Sequence, residues 1–542
     1  MSSTSAALPA GSGAAANAAP PPPAPARPPM AFPPLTGGQL VLGTVALSLA
    51  TFMNVLDTSI ANVSLPAIAG DLGVSPNQGT WVITSFAVAN AISVPLTGWL
   101  TQRIGTVRLF TASVLLFVVA SWLCGMAPNM ETLIFLRVVQ GAVAGPMIPL
   151  SQALLLASYP REKAGTAMAM WSITTLVAPV TGPLLGGWIT DNISWPWIFY
   201  INVPVGLFAA TLTWMLYRER ESATRKAPID GIGLGLLVLW IGALQIMLDK
   251  GKELDWFHST QIVTLALVAG IGFVVFLIWE LTEDHPVVDL TLFARRNFWT
   301  GTLTVSLGYG LFFGNVVLLP LWLQQFMGYT ATDAGFVLAP VGALAILLSP
   351  LVGKNVARVD PRVFATVSFL VFALVLWMRS LFSTQADFAT IMIPTIIQGI
   401  AVAFFFIPLM TLTLSGLTPD RIPAASGLSN FARITAGAIG TSVTTTLWES
   451  RATLHHANLA EQINPGSPAA MHFLDQLGAA GLAPGQVQAL VNRLIDQQAY
   501  MLAANDLFAV SAALFVLLVG VVWLARPAKS TKAGAAAASA AH

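Results

Sequence analysis

Gln140-Gly141 opens a stretch that reaches Ile148-Pro149-Leu150, and Gln398-Gly399 opens one that reaches Ile407-Pro408-Leu409, 258 residues further on. A second pair stands at nearly the same spacing. Gly98 is followed by Arg103, and Gly353, 255 residues later, by Arg358. Chance agreement among apolar segments is the alternative, but two matches at almost one offset argue for an internal duplication. These stretches lie in or beside apolar runs of about twenty residues, the length that crosses a bilayer. The pattern predicts a membrane protein made of two like halves, a construction suited to rocking around a central cavity.

Composition agrees. The 542 residues are 55% hydrophobic and 9% charged, against about 25% charged in soluble domains. A net charge of +1 gives nucleic acid nothing to bind. The single cysteine, Cys124, cannot form an internal disulfide. Fourteen spans are expected, near 38–63, 78–100, 107–127, 131–155, 165–189, 197–217, 231–248, 260–280, 299–323, 333–354, 362–380, 388–412, 425–448 and 504–526. With both termini cytoplasmic, eighteen of the 25 Lys and Arg residues fall inside and five outside, while Arg137 and Arg433 lie within spans. The expected class is an all-α integral membrane protein. Its parts are a disordered Pro/Ala-rich cytoplasmic tail (1–35), a six-helix half (36–217), a linker with two extra spans (218–296), and a second six-helix half (297–526). That second half carries one long external loop, 449–503, and a short cytoplasmic tail, 527–542, follows it.

Two of the spans that hold a charge are informative together. Leu56-Asp57-Thr58-Ser59-Ile60-Ala61-Asn62-Val63-Ser64-Leu65-Pro66 puts Asp57 inside hydrocarbon, where carboxylates are costly and mark ion pathways. Asn54, Asp57, Ala61 and Ser64 share one helix face. Arg137-Val138-Val139-Gln140-Gly141 aligns Arg137 with Gln140. Arg cannot shed its proton and needs an anion or a watery cavity nearby. Asp57 and Arg137 each lie about six residues from the outer end of their spans, roughly 9 Å deep at about 1.5 Å per residue. They are therefore expected to pair, and to couple the protein to protons; a purely structural ion pair is the alternative. Arg433 lies nearer the cytoplasmic end and is a poorer partner.

Gly182-Pro183-Leu184-Leu185-Gly186-Gly187, preceded by Ala178-Pro179, offers small residues for close helix approach and prolines that bend the chain. On physics alone it reads as a packing kink. In the cytoplasmic loop after the second span, Gly98, Arg103, Gly105 and Arg108 form a tight basic turn. In the outer loop, Asn464-Pro465-Gly466 marks a turn and 484–502 has the pattern of an amphipathic helix. His455-His456 point to different helix faces and make a poor metal site, so no metal or cofactor is expected. HExxH, CxxC, GxSxG and Walker A motifs are absent, which disfavours an enzyme and leaves a gradient as the energy source.

Together these stretches resemble the major facilitator superfamily, in its fourteen-helix drug:proton antiporter branch. The likeness runs from about 40 to 526. It rests on Leu56–Pro66, Arg137–Gly141, Gly182–Gly187, Leu248-Asp249-Lys250-Gly251-Lys252-Glu253-Leu254-Asp255-Trp256 and Ser429-Asn430-Phe431-Ala432-Arg433, the last two particular to that branch. The resemblance makes 179–187, with Pro179, Gly182, Pro183, Gly186 and Gly187, an antiporter motif. It implies a substrate cavity with Asn54, Gln140, Asn430 and Arg433 on its walls. It also implies export of lipophilic compounds against protons across a bacterial inner membrane, with a periplasmic adaptor and, through it, an outer-membrane channel as partners. A dedicated metabolite or siderophore exporter and a proton-coupled importer are the rivals on this scaffold. The family's loop motif has an aspartate where this chain has Gln102 and a basic residue where it has Thr106, so the carboxylate for an ion pair at that position is missing here.

Overall fold

Ser2 and residues 32–526, apart from 75, 161, 162, 226, 227, 229, 330, 357, 465, 466, 481 and 482, are described by a computed structural model. The expected tails at 1–35 and 527–542 therefore lie almost wholly outside the described residues. The end of the first is packed: Leu35 is buried and its N–H donates to Ser158 O at 2.9 Å.

The described residues form helices and no strand. The first half holds α1 (Gly37–Asp71), α2 (Pro76–Gly79), α3 (Trp81–Ser93), α4 (Thr97–Ile104), α5 (Thr106–Gly125), α6 (Met130–Ala144), α7 (Met147–Ser158), α8 (Ala164–Asn192), α9 (Trp197–Tyr200) and α10 (Asn202–Tyr217). Then come α11 (Gly231–Lys250) and α12 (Thr260–Thr282). The second half holds α13 (Arg296–Phe326), α14 (Ala331–Asn355), α15 (Pro361–Arg379), α16 (Phe388–Thr413), α17 (Ile422–Glu461), α18 (Pro468–Ala479) and α19 (Pro484–Val522).

Each of the fourteen expected spans falls on one of these helices or on a broken pair. Among the described residues eleven helical stretches are long and apolar enough to cross a membrane, and α3 with α4, bent by 62°, makes a twelfth. The other two, α8 and α17, have 29 and 40 residues. They are rich in Gly, Ala, Ser and Thr, which suits helices buried between neighbours rather than facing lipid. The stretch 449–503 differs from the expected loop. It is mostly helix, a projection made by the ends of α17 and α19 with α18 between them. Arg451 and His455 hold Asp506 at 3.2 and 2.9 Å, His456 reaches Asn492 at 3.1 Å, and Trp448 Nε1 donates to Tyr500 O at 2.9 Å. The sequence marker Pro465-Gly466 lies outside the described residues.

The duplication is physical. A Cβ on Gly141 would stand 2.4 Å from Phe86 O and 3.1 Å from Ala89 Cβ; one on Gly399 would meet Val341 O at 2.8 Å and Leu344 Cβ at 2.7 Å. Each of those partners is its counterpart plus 255. Likewise Gly98 abuts Ala424 and Gly353 abuts Gly165, two mirrored contacts that join the halves. The same end of the bundle is sealed by Gln152 of α7, whose Oε1 accepts from Asn430 Nδ2 at 2.8 Å and from Ser426 Oγ of α17. In this conformation the halves close at the end that carries residues 98–105 and the C-terminal end of α14.

Of the two inserted helices α11 packs beside α3 and α12 packs on α11, and their connection touches both halves. Thr84 Oγ1 donates to Asp249, and Lys250 Nζ donates to Thr80 Oγ1 at 2.7 Å, on the first half. On α17, Ser442 Oγ donates to Leu248 O at 2.9 Å, Trp256 Nε1 donates to Thr446 Oγ1 at 3.0 Å, and Lys252 meets Glu449 at 2.7 Å. Asp255 and Trp256 take positive φ (58° and 47°), a conformation that bulky residues hold only under surrounding constraint.

Candidate functional site

α6 begins where Asn129 Oδ1 accepts the Thr132 N–H at 2.9 Å, with Glu131 in the first turn, both favourable at a helix N-terminus. Two turns on, Arg137 is fully buried. Its Nη1 lies 2.6 Å from Asp57 Oδ2 of α1. This is the pairing that equal depth predicts. The same Nη1 donates to Gln140 Oε1 at 2.6 Å, and Nε donates to Val82 O at 2.9 Å. The Phe86 ring lies 4.3 Å from the guanidinium carbon and the Phe199 ring 5.6 Å. Asp57 Oδ1 accepts from Gln140 Nε2 at 3.1 Å and from Asn202 Nδ2 at 2.9 Å; Gln140 Nε2 also donates to Ser121 Oγ at 2.7 Å. The carboxylate is thus met on both oxygens, the condition under which a buried charge is tolerated.

Asn202 and Ser121 were not singled out from sequence. Each lies five or six residues from the outer end of its expected span (107–127 for Ser121, 197–217 for Asn202), the depth of Asp57, which is the signal that marks them in the sequence. Of the expected cavity residues, Gln140 belongs to this network and Asn54 supports it from α1 by donating to Ala144 O at 3.2 Å. Asn430 and Arg433 form a separate group. Arg433 Nη2 donates to Asn430 Oδ1 at 2.8 Å, and the guanidinium stacks on Tyr309 at 4.5 Å. All four are buried, so none faces open space in this closed conformation.

The segment 179–187 lies within α8. A Cβ on Gly182 would sit 2.4 Å from Ser59 Oγ, and one on Gly186 3.1 Å from Ile60 O. The partner is α1, in the same half, rather than the opposite half that a two-half rocker brings to mind; α1 carries Asp57 two residues before Ser59. Among the described residues a Cβ on Gly187 would meet Val63, at 4.0 Å. The side chains of Pro179 and Pro183 lie outside the described residues.

In the loop motif, Gly105 has φ +99°, a backbone open to glycine. Glu221 caps α5, accepting from Val107 N at 3.0 Å and Arg108 N at 2.8 Å, and Ser222 Oγ accepts from Thr106 N at 3.0 Å. Arg103 stacks over Trp99 at 5.6 Å. The side chain at 102, where the family has its aspartate, enters no ion pair among the described residues; its backbone O accepts from Arg225 N at 2.7 Å.

Residues 47–441 match the model of the Major Facilitator Superfamily. The chain is 52% identical to the multidrug export protein EmrB of Haemophilus influenzae over 502 residues, 92% of this chain and 98% of that protein. It is 50% identical to the fatty acid resistance protein FarB of Neisseria gonorrhoeae, over 92% and 98% of the two chains. Among solved structures it is similar in fold to the human organic anion transporter MFSD10 (TETRAN), with a TM-score of 0.55, 13% identity, and 90% and 100% of the two chains covered.

Proposed function

The chain belongs to the major facilitator superfamily, and on that premise we propose that it is a proton-coupled antiporter exporting lipophilic toxic compounds across a bacterial inner membrane. The observation that carries the coupling is Asp57. Among the described residues it is the one buried carboxylate in the two six-helix halves, and it is paired to an arginine. Protonation would neutralise it and free Arg137 from its ion pair, a local change able to bias a two-state packing. The release of substrate would then follow a change in which end of the bundle is closed. Asn430, Arg433 and Gln152, at the seam between the halves, are the groups an opening at that end would expose.

The test is growth of a strain stripped of its own pumps on a panel of toxic compounds. The name of the Neisseria relative puts amphiphilic acids on that panel. Protection against several unrelated lipophiles supports the reading; protection against a single metabolite favours the dedicated exporter, and heightened sensitivity favours an importer.

Orientation is part of the proposal: both termini and the 218–230 segment are cytoplasmic. Ser222 is engaged with Thr106, so the labelling site is the exposed Thr224. Cys124 is buried and gives little background. A membrane-impermeant maleimide is expected to leave Thr224→Cys unlabelled in intact cells and to label it after lysis. Labelling in intact cells would invert the topology.

The helical projection at 449–503 is the proposed dock for a periplasmic adaptor, through which an outer-membrane channel would be reached. Much of the apolar face of 484–502 is half-buried in the projection; Met471, Phe473 and Leu494 are exposed. Serine at these three positions is expected to cut resistance in cells at least tenfold while leaving pH-driven transport in proteoliposomes unchanged. Equal loss in both assays would mean that the projection serves folding or transport itself.

A further inference from the structure

The buried polar network of the first half has a counterpart in the second, with the arginine moved. Adding 258 to Ser121, Arg137 and Gln140 gives Arg379, Thr395 and Gln398. The three meet in space: Arg379 Nη2 donates to Gln398 Oε1 at 2.6 Å and to Thr395 Oγ1 at 3.1 Å. The guanidinium has shifted from the place of Arg137 to the place of Ser121 and kept its glutamine.

The carboxylate has not moved with it. α13 occupies in this half the place of α1 and contains no acidic residue. Arg379 is 1% exposed, and no carboxylate of the described residues lies within ion-pair distance of it. Its Nε has no hydrogen-bond partner among the described residues. Arg433, the other buried arginine of this half, also has an unpartnered Nε but stacks on Tyr309 and Phe406; among the described residues no ring lies over Arg379. Thr395, Gln398 and the C-terminal end of α15 lend partial negative charge, not a full counter-ion. A guanidinium cannot relieve the cost by losing its proton.

We propose that Arg379, with Thr395 and Gln398, binds a monoanion of carboxylate or halide size in the second half. The site performs with an exchangeable anion the neutralisation that the built-in carboxylate of Asp57 performs in the first. A free inorganic anion and the carboxylate head of an amphiphilic acid share this chemistry, because both would bring a single negative charge to the buried donors of one guanidinium, of which Nε has no partner among the described residues.

The test uses the full-length protein purified in uncharged detergent and followed by thermal unfolding. Sodium chloride, sodium acetate and sodium laurate are titrated against gluconate at constant ionic strength. A saturable rise in Tm with chloride or acetate is expected, because an anion bound only by the folded state stabilises it by mass action. Arg379→Gln is expected to abolish that rise. Gln398→Glu, which sets a carboxylate beside Nη2, is expected to abolish it as well, and it serves if Arg379→Gln does not accumulate. A rise with laurate alone that both variants lose assigns the site to an amphiphile head group. No anion-specific rise, or a rise that persists in either variant, overturns the proposal.

Discussion

Asp57→Asn is expected to abolish pH-driven transport, bringing uptake in inverted proteoliposomes to the level of protein-free vesicles. The substitution keeps the shape of the side chain and one acceptor for Asn202 or Gln140, but removes both the charge that Arg137 faces and the proton-binding group. Breaking a buried pair by removing one partner costs about 3–5 kcal/mol. The variant should therefore melt at lower temperature, and transport must be compared at matched amounts of folded protein. Substrate binding is expected to survive, because Asp57 is buried behind Arg137, Gln140 and Asn202. Asp57→Glu retains a titratable group and is expected to recover part of the activity. Arg137→Lys keeps the charge but loses the planar fork that reaches Asp57, Gln140 and Val82 O together, so it is expected to be impaired too. Wild-type coupling in Asp57→Asn would remove this residue from the mechanism and turn attention to Glu280, the other buried carboxylate among the described residues.

The pairing of Asp57 with Arg137 is legible in the sequence, although the end of α1 is not. Depth was counted from a span ending near 63, whereas α1 continues to Asp71. The end of an expected span and the end of a helix are different things: the apolar stretch of α1 itself runs on through Leu65, Ile68 and Ala69, and Asp57 still meets Arg137. The same distinction explains 449–503. A hydropathy run stops at the membrane, but the hydrogen-bond ladders of α17 and α19 continue into water, held by the contacts of Asp506 and Trp448. What sequence could not supply is which helix faces which. Small residues at 182 and 186 announce a close approach without saying to whom, and Asn202 or Gln152 joins a network only after three or four helices have assembled.

That partner identity sets the second large effect. Gly182→Ala is expected to reduce transport severely, and Ser59→Gly in the same chain to restore much of it. A methyl group at 182 would stand 2.4 Å from Ser59 Oγ and 2.5 Å from Ser59 Cβ, closer than packed atoms come, while the nearest backbone atom of Ser59 is 3.2 Å away. Relief by rotamer is blocked for Cβ, so α1 must move away from α8. Overpacking of this kind costs about 1–3 kcal/mol, too little to unfold most chains but enough to shift a helix. α1 is the helix that carries Asp57, and five residues beyond Ser59 its Ser64 Oγ is 2.7 Å from Thr190 Oγ1 of α8. Displacement would stretch that bond and move Asp57 against an arginine held by α6 and by Val82 O. Contacts made at 2.6 Å do not survive a shift of an ångström. Removing the Ser59 side chain leaves only the 3.2 Å approach, which a small adjustment absorbs. Gly182→Leu brings bulk beyond Cβ and should not be rescued. The measurement is initial transport rate at matched protein levels for the two single variants, the double variant and Gly182→Leu. A Gly182→Ala protein as active as the parent, or a double variant no better than the single, would show that the close approach of α1 and α8 does not govern coupling.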